Sequence, residues 1–373
     1  MKAMILAAGK GTRVRPLTYD LPKPMIPILG KPVMEYLLEH LAGQGVRQVM
    51  VNTSHQAHRI EQYFGDGRRF GLEIGYSFEG HVENDEIVPL PLGSAGGMKK
   101  VHEFGGFFDE TVVVLCGDAL VDLDLGLALA EHRARGAIAS LMVKRVPRSE
   151  VSSYGVVVCD DDGRIRSFQE KPAAAEALSD WASTGIYIFE PRVMDLIPAG
   201  REFDIGADLF PQLVARDLPF YAQKHDFHWV DIGKVGDYWS AVQRVMRREV
   251  GGIRMPGTQV RAGLWVGLNT RIEWNGTAIT GPVYVGSNTL IESGCEIVGP
   301  TWIGHGCHVE PGATLHRSII FEHNRVGRGC AFADQIVCGK YCVSADGRTI
   351  LKDQPDIRWI WEDARKRRAV TAA

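Results

Sequence analysis

ITGPVYVGSNTLIESGCEIVGPTWIGHGCHVEPGATLHRSIIF, residues 279–321, repeats an aliphatic or aromatic residue at every sixth position: Ile279, Val285, Ile291, Ile297, Ile303, Val309, Leu315 and Phe321. Four residues after most of these stands a small side chain, as at Thr289, Cys295, Thr301, Cys307 and Ala313. A six-residue period of this kind is the signature of a β-helix whose flat sides meet at tight corners. Nine hexads at three per turn predict about three coils. The spacing slips between Phe321 and Val326 and resumes at Val326 and Phe332, so an irregular last coil is expected. Cys295, Cys307 and Cys330 fall at the small inward position, which makes them packing residues and not reactive thiols.

Upstream the grammar differs. Lys2–Ala7, Gln48–Asn52 and Thr111–Gly117 read as buried strands, and Val33–Gly43 and Gln56–Phe64 as helices. Continuous β-branched runs separated by amphipathic helices predict a Rossmann-like α/β domain with a mostly parallel sheet covered on both faces. The expected organisation is therefore an α/β domain over 1–250, a short parallel β-helix over 251–348, and a terminal segment over 349–373. In that last segment Trp359 and Trp361 are expected to dock a helix ahead of a solvated basic tail, Arg365 to Arg368.

The 373 residues are 45% hydrophobic and 23% charged, the balance of a globular chain and not of a disordered one. A formal charge of −3 gives the whole surface no electrostatic reason to bind nucleic acid or an anionic membrane. The apolar run before Lys10 is too brief for a secretory signal core, and no later stretch would span a bilayer, so a cytoplasmic protein is expected. Seven cysteines without CxxC spacing argue against a disulfide framework and a structural zinc site.

The chemistry concentrates where the first strand runs into LAAGKGTRVRP, Leu6–Pro16. Gly9 and Gly11 allow the backbone to approach a polyphosphate, and the exposed N–H groups of such a turn make an anion nest. The turn has neither the third glycine of a dinucleotide fingerprint nor the order of a Walker A loop. Residues 1–25 nevertheless hold Lys2, Lys10, Arg13, Arg15 and Lys23 against the single acid Asp20. Interleaved with glycines and prolines, these cations belong to a loop that captures an anion more than to a solvated helical face.

LAAGKGTRVRPLTYDLPKPMIPILGKP resembles the signature of the sugar-phosphate nucleotidyltransferases, or nucleoside-diphosphate-sugar pyrophosphorylases: G-x-G-T-R at Gly9–Arg13, then P-K-P at Pro22–Pro24. Further landmarks of that family follow in order: LGSAGG at Leu92–Gly97, Gly117–Asp118, Tyr154–Gly155, F-x-E-K-P at Phe168–Pro172, Thr184–Gly185 and W-x-D-I-G at Trp229–Gly233. A C-terminal left-handed β-helix is common in the family. The resemblance implies nucleotide contacts from Leu6, Ala7, Ala8, Gly9, Gly11, Thr12, Arg13, Gly93, Ser94 and Asp118. It implies sugar-phosphate contacts from Gly155, Glu170, Lys171 and Thr184. Asp118 and Asp231, each just after an apolar strand, form a pair suited to Mg²⁺, a hard cation that accepts carboxylate and phosphate oxygens. Arg13 and Lys23 are the candidate catalytic cations, and Glu79 could accept a base N–H.

Nucleotidyl transfer to a sugar 1-phosphate needs no strong general base, because the attacking oxygen is already anionic. The obstacle is repulsion between two anions, so a site of cations, backbone donors and a metal is what the reaction requires. LGSAGG, SSYGVVV and WVDIGKVGDYW resemble the non-classical bacterial UDP-glucose pyrophosphorylases, which implies UTP and glucose 1-phosphate as substrates. GTP with mannose 1-phosphate is the alternative. Two other classes are an inactive sugar-nucleotide-binding regulator and an acyltransferase using His305, His308, His316 or His323 as a base. Exposed faces and ends of a short β-helix also make a homo-oligomer the expected state.

Overall fold

The computed structural model describes residues 1–84, 86–351 and 360–366. The chain divides into two bodies. The first comprises Met1–Gly11, Leu21–Met25 and Val33–Asp231; the second comprises Thr12–Asp20, Ile26–Pro32 and the chain from Ile232.

Among the described residues the first body is built on a nine-stranded sheet. Its parallel half runs β1 (Lys2–Leu6), β2 (Gln48–Thr53), β3 (Glu73–Phe78) and β4 (Val112–Cys116). A two-stranded ribbon is formed by β5 (Ala119–Val121) and β11 (Trp229–Asp231). The remaining strands of the sheet are β6 (Ala139–Arg145), β7 (Gly155–Cys159), β8 (Ile165–Glu170), β9 (Trp181–Phe189) and β10 (Phe220–Gln223). The order is β8-β7-β9-β4-β1-β2-β3, with β6 lying between β9 and β10. β9 runs antiparallel to β4, which makes the sheet mixed where the sequence predicts one mostly parallel.

Alternation along the strands explains why both faces are covered. Ala3, Ile5, Val113 and Leu115 pack with Met34, Leu37, Leu38 and Leu41 of α1 (Val33–Gly43) and with Ile60 and Phe64 of α2 (Ala57–Phe64). Met4, Val112 and Val114 face the other way, onto Ala95, Met98 and Val101 of α3 (Gly93–Gly105). A strand buried on both faces has no polar side to present, hence its unbroken apolar sequence. Both helices predicted before residue 70 form, α1 at its predicted bounds and α2 one residue shorter.

The second body is a three-faced parallel β-helix, consistent with the left-handed form that a hexapeptide period implies. Val283–Val285, Thr301–Ile303 and Ile319–Ile320 stack on one face; Leu290–Ile291, His308–Val309 and Asn324–Val326 on the second; Glu296–Val298, Thr314–His316 and Ala331–Ala333 on the third. Another level, with strands at Leu264–Val266, Arg271–Ile272 and Ala278–Thr280, precedes these, so four levels stand where three coils are predicted. Its hexads are degenerate in sequence, with Ile272 and Ile279 only half-buried at the end of the stack.

The slip also lies elsewhere than predicted. Ile303 pairs with Ile320, not Phe321, so that coil is one residue short before Phe321 is reached. The corner responsible is at Arg317. Gly281–Pro282 and Gly299–Pro300 turn the preceding levels with cis peptide bonds, whereas Arg317 turns this one alone at φ +45°. Val285, Ile303, Ile320 and Val337 consequently form one fully buried column, each worth roughly 1.5–3 kcal/mol. Phe321 stands outside it, against the rings of Trp302 and Tyr238. Cys295, Cys307 and Cys330 point inward and are buried, and burial pushes the Cys307 thiol up to about 12.

Two further expectations are corrected. α4 (Val235–Met246) precedes residue 250 yet belongs to the second body, because Tyr238 donates to Pro27 O (2.7 Å), Trp239 to Arg317 O (3.3 Å) and Gln243 to Pro300 O (3.2 Å). In place of a terminal helix at Trp361, Trp361–Asp363 is a strand antiparallel to Asn324–Val326. It covers an open sheet edge and inserts the Trp361 ring beside Phe332. Trp359, Arg367 and Arg368 lie outside the described residues. All four histidines singled out in this region have partners on the β-helix itself: His308 contacts Glu292, His316 lies 3.6 Å from Glu296, and His305 and His323 meet ring edge to ring face.

Candidate active site

β1, β2 and β4 end level with one another, since Leu6 pairs with both Asn52 and Cys116. The segments that follow leave the sheet together at the strand carboxyl ends, where open α/β sheets bind ligands. They are Ala7–Gly11 after β1, Ser54 after β2, Glu79 after β3 and Gly117–Asp118 after β4. Ala7 is buried and donates its N–H to Asn52 Oδ1 at 2.7 Å. From there the turn opens outward: Gly9 is exposed, with nothing among the described residues within 4 Å of where a Cβ would stand, and Gly11 adopts φ +61°. At Gly9 the backbone is open to the approach of a polyphosphate.

Lys23 sits on a single turn, Lys23–Met25, and its ammonium donates to Asp118 Oδ2. Both side chains are mostly buried, at 12% and 21% exposure. The other carboxylate oxygen, Asp118 Oδ1, is buried and has no hydrogen-bond partner among the described residues. Asp231 ends β11 directly opposite Ala119, the residue after Asp118, and both carboxylates act on the Cys116 thiol. The Cys116 thiol, beneath this group, is raised by burial first and then by Asp118 and Asp231, with Lys23 opposing. Among the described residues no three His, Cys, Asp or Glu side chains gather as a metal cluster. A buried carboxylate oxygen with no partner among the described residues, one register position from the residue paired with a second aspartate, fits a hard cation that draws its remaining ligands from phosphate and water.

Leu92–Gly97 enters α3 under tight backbone control. The Phe203 carbonyl accepts from Ala95 N (3.0 Å) and Gly96 N (2.9 Å), while Phe203 N donates to Leu92 O (2.8 Å). Gly93, at φ +71°, has no room for a side chain, since a Cβ would lie 2.5 Å from Phe203 O. Ser94 Oγ donates to Asp204 Oδ2 (2.7 Å) and accepts from Ile205 N (2.8 Å). Asp204 Oδ1 in turn caps Gly206 N and Ala207 N.

The same cap leads to the sugar-phosphate candidates. Gly206 passes so near Glu170 that a Cβ there would be 2.7 Å from Glu170 Oε2. Glu170 pairs across the ribbon with Gly155, whose missing side chain leaves space for the Phe168 ring, and Lys171, at φ +44°, contacts the Glu170 carboxylate. Thr184 differs from the rest. Its side chain is buried and its hydroxyl donates to Met142 O at 2.8 Å, which holds β9 to β6.

Ala7, Lys23, Ser94, Asp118, Glu170, Lys171 and Asp231 thus belong to one body, linked through the strand ends and the Asp204 cap. Glu79 is buried there too, with its oxygens taken by Asn52 and Leu92 N rather than turned outward. Arg13 lies on an exposed turn, Thr12–Val14, which is grouped with the second body. The residues that sequence reasoning missed are Asn52, Phe203 and Asp204. Asn52 was legible as the polar residue ending QVMVN, and Asp204 as the acidic residue before a helical run, but neither says what it holds.

Comparison with known proteins adds the following. A model described as nucleotidyl transferase matches residues 2–248, and one described as bacterial transferase hexapeptide matches residues 282–317. A UTP–glucose-1-phosphate uridylyltransferase from Synechocystis is 56% identical, over 98% of this chain and 94% of its own. A mannose-1-phosphate guanylyltransferase from Mycobacterium tuberculosis is 32% identical, over 88% of this chain and 82% of its own. Among solved structures, HddC from Yersinia pseudotuberculosis superposes with a TM-score of 0.54 at 25% identity, covering 65% of this chain and 99% of that one.

Proposed function

The chain belongs to the nucleotidyl transferase family, and from that premise we propose that it joins UTP to glucose 1-phosphate, yielding UDP-glucose and pyrophosphate. The observation that carries the choice of substrates is 56% identity, over nearly the whole of both chains, to a protein named for that reaction. The more distant guanylyltransferase makes GTP with mannose 1-phosphate the second reading.

In this reaction a phosphate oxygen of glucose 1-phosphate attacks the α-phosphorus of UTP. A P–O bond forms there as the bond to the β-phosphate oxygen breaks, and pyrophosphate leaves. No proton must be removed from the nucleophile, so the chain's task is to hold two anions together. The backbone of Ala7–Gly11 cradles the triphosphate, and Lys23 neutralises charge near the α-phosphate, exchanging its contact with Asp118 for one with substrate. Arg13 offers a planar fork to the departing phosphates. Lys171 binds the sugar phosphate and Glu170 accepts from sugar hydroxyls, while Gly155, opposite Glu170, admits the Phe168 ring. Asp118 and Asp231 would hold Mg²⁺, which supplies Lewis-acid stabilisation of charge on the phosphoryl oxygens.

A matrix of UTP, GTP, ATP, CTP and dTTP against glucose 1-phosphate and mannose 1-phosphate, scored by pyrophosphate release, tests the reading. Fastest release with UTP and glucose 1-phosphate, abolished by EDTA and restored by MgCl₂, is expected. Faster release with GTP and mannose 1-phosphate would replace it with the second reading, and no release from any pair would indicate a binding protein.

A further inference from the structure

We propose that Asn52 is a positioning residue that fixes the spacing between the glycine-rich turn and the Leu92–Gly97 loop, with Glu79 as the other half of a buried bridge. The inference rests on the reading that those two segments hold the nucleotide.

The bridge is continuous. Ala7 N donates to Asn52 Oδ1 (2.7 Å), Asn52 Nδ2 donates to Glu79 Oε1 (2.7 Å), and Leu92 N donates to Glu79 Oε2 (3.3 Å). Asn52 and Glu79 are each 3% exposed. Glu79 is itself anchored, its N–H donating to Thr53 O (2.7 Å) and its carbonyl accepting from Ser54 Oγ (3.0 Å) and Leu90 N (3.2 Å). α3 sits directly on the bridge. A Cβ at Gly97 would stand 2.4 Å from Glu79 Oε1 and 3.1 Å from Asn52 Nδ2.

Only one polarity satisfies these groups. Ala7 N is a donor, so position 52 must present an acceptor to it; Glu79, as a carboxylate, only accepts, so position 52 must also present a donor. An amide does both, whereas an aspartate or a leucine of similar shape does not. Burying a carboxylate is costly, and burial pushes the Glu79 carboxyl up, opposed by the Asn52 and Leu92 hydrogen bonds and by Lys100 of α3. An apolar pair would fill this space without that cost. What it would not do is tie Ala7 N, at the end of β1, and Leu92 N, at the entry to α3, to one rigid spacer.

The test is a reciprocal swap. Asn52→Asp alone sets two carboxylates against each other, and Glu79→Gln alone loses one of the two acceptors; each is expected to raise KM for UTP at least about tenfold, while kcat and KM for glucose 1-phosphate stay within about threefold. In the double variant N52D/E79Q the new carboxylate accepts from Ala7 N and from the new amide, whose oxygen accepts from Leu92 N. All three hydrogen bonds return at the same net charge, and KM for UTP is expected within about threefold of the parent. A double variant no better than the worse single, equal changes in both KM values, or a shift in UTP-to-GTP preference in E79Q that the swap does not reverse would each overturn the bridge. If N52D does not fold, the swap alone decides by the same criterion. Calorimetric binding of UTP by the unsubstituted protein separates the two layers: no binding overturns the proposed function, while normal binding that N52D leaves unchanged overturns only the bridge.

Discussion

Asp118→Asn separates a structural from a catalytic account of the Lys23–Asp118 pair. At an effective dielectric near 20, two unit charges in contact attract by about 4 kcal/mol, but the desolvation of both groups opposes that gain. With the two side chains 12% and 21% exposed, and an asparagine oxygen still available to Lys23, the net loss of stability should be about 1–2 kcal/mol, or a few degrees in Tm. The catalytic cost is larger. Asp118 Oδ1 has no hydrogen-bond partner among the described residues, and halving the charge proposed to hold the metal should cost on the order of 10²–10³ in kcat, roughly 2.7–4 kcal/mol. Steady-state pyrophosphate release at saturating magnesium, beside a thermal melt of the same preparation, measures both quantities. A variant that melts lower by several degrees yet keeps kcat within tenfold of the parent would refute the metal assignment and leave the pair as a structural ion pair.

Three other outcomes are expected. Ile320→Ala should destabilise the β-helix by about 2–5 kcal/mol, as for other fully buried aliphatic truncations, and Phe321→Ala by less; the opposite order in denaturant melts would contradict the register that pairs Ile303 with Ile320. Cys307, its thiol pushed up to about 12 by burial, should resist alkylation at pH 8 in the native protein and react on unfolding, and rapid native labelling located by mass spectrometry would disprove its inward placement. Glu79, raised chiefly by burial, binds its proton more tightly folded than unfolded, so its contribution is fully present below the unfolded value near 4.5 and is lost as pH rises through the folded value. The Tm of the parent relative to Glu79→Gln should therefore fall from pH 4 towards neutrality, and a constant difference would remove burial as the cause.

Much of the architecture was legible because burial leaves a periodic trace. Strands covered on both faces must be apolar throughout, as TVVVLCG is, and a β-helix must repeat its inward residue every sixth position. The trace fails where backbone geometry changes the count. A single residue at Arg317 turns a corner that Gly–Pro turns elsewhere, which shifts the inward position from Phe321 to Ile320 without disturbing the surrounding pattern. Trp361 misled for a related reason: a tryptophan near a chain end signals docking, but whether it arrives on a helix or a strand depends on the open edge it meets, here Asn324–Val326.

For the candidate site, Gly9–Arg13, Lys23, Asp118, Glu170–Lys171 and Asp231 were named because each stands in a short local pattern that resembles one of the family. Which way a buried polar group faces was not written locally. Glu79 precedes the Leu92–Gly97 loop and reads as a ligand contact, yet its carboxylate closes on Asn52, 27 residues earlier in the chain; Thr184 turns its hydroxyl to Met142, 42 residues away. Hydrogen bonds of that separation exist only once the sheet has set its strand ends level. The amino-acid sequence therefore determined which groups the protein carries to its strand ends, and the tertiary structure alone decided which of them are used up holding one another in place.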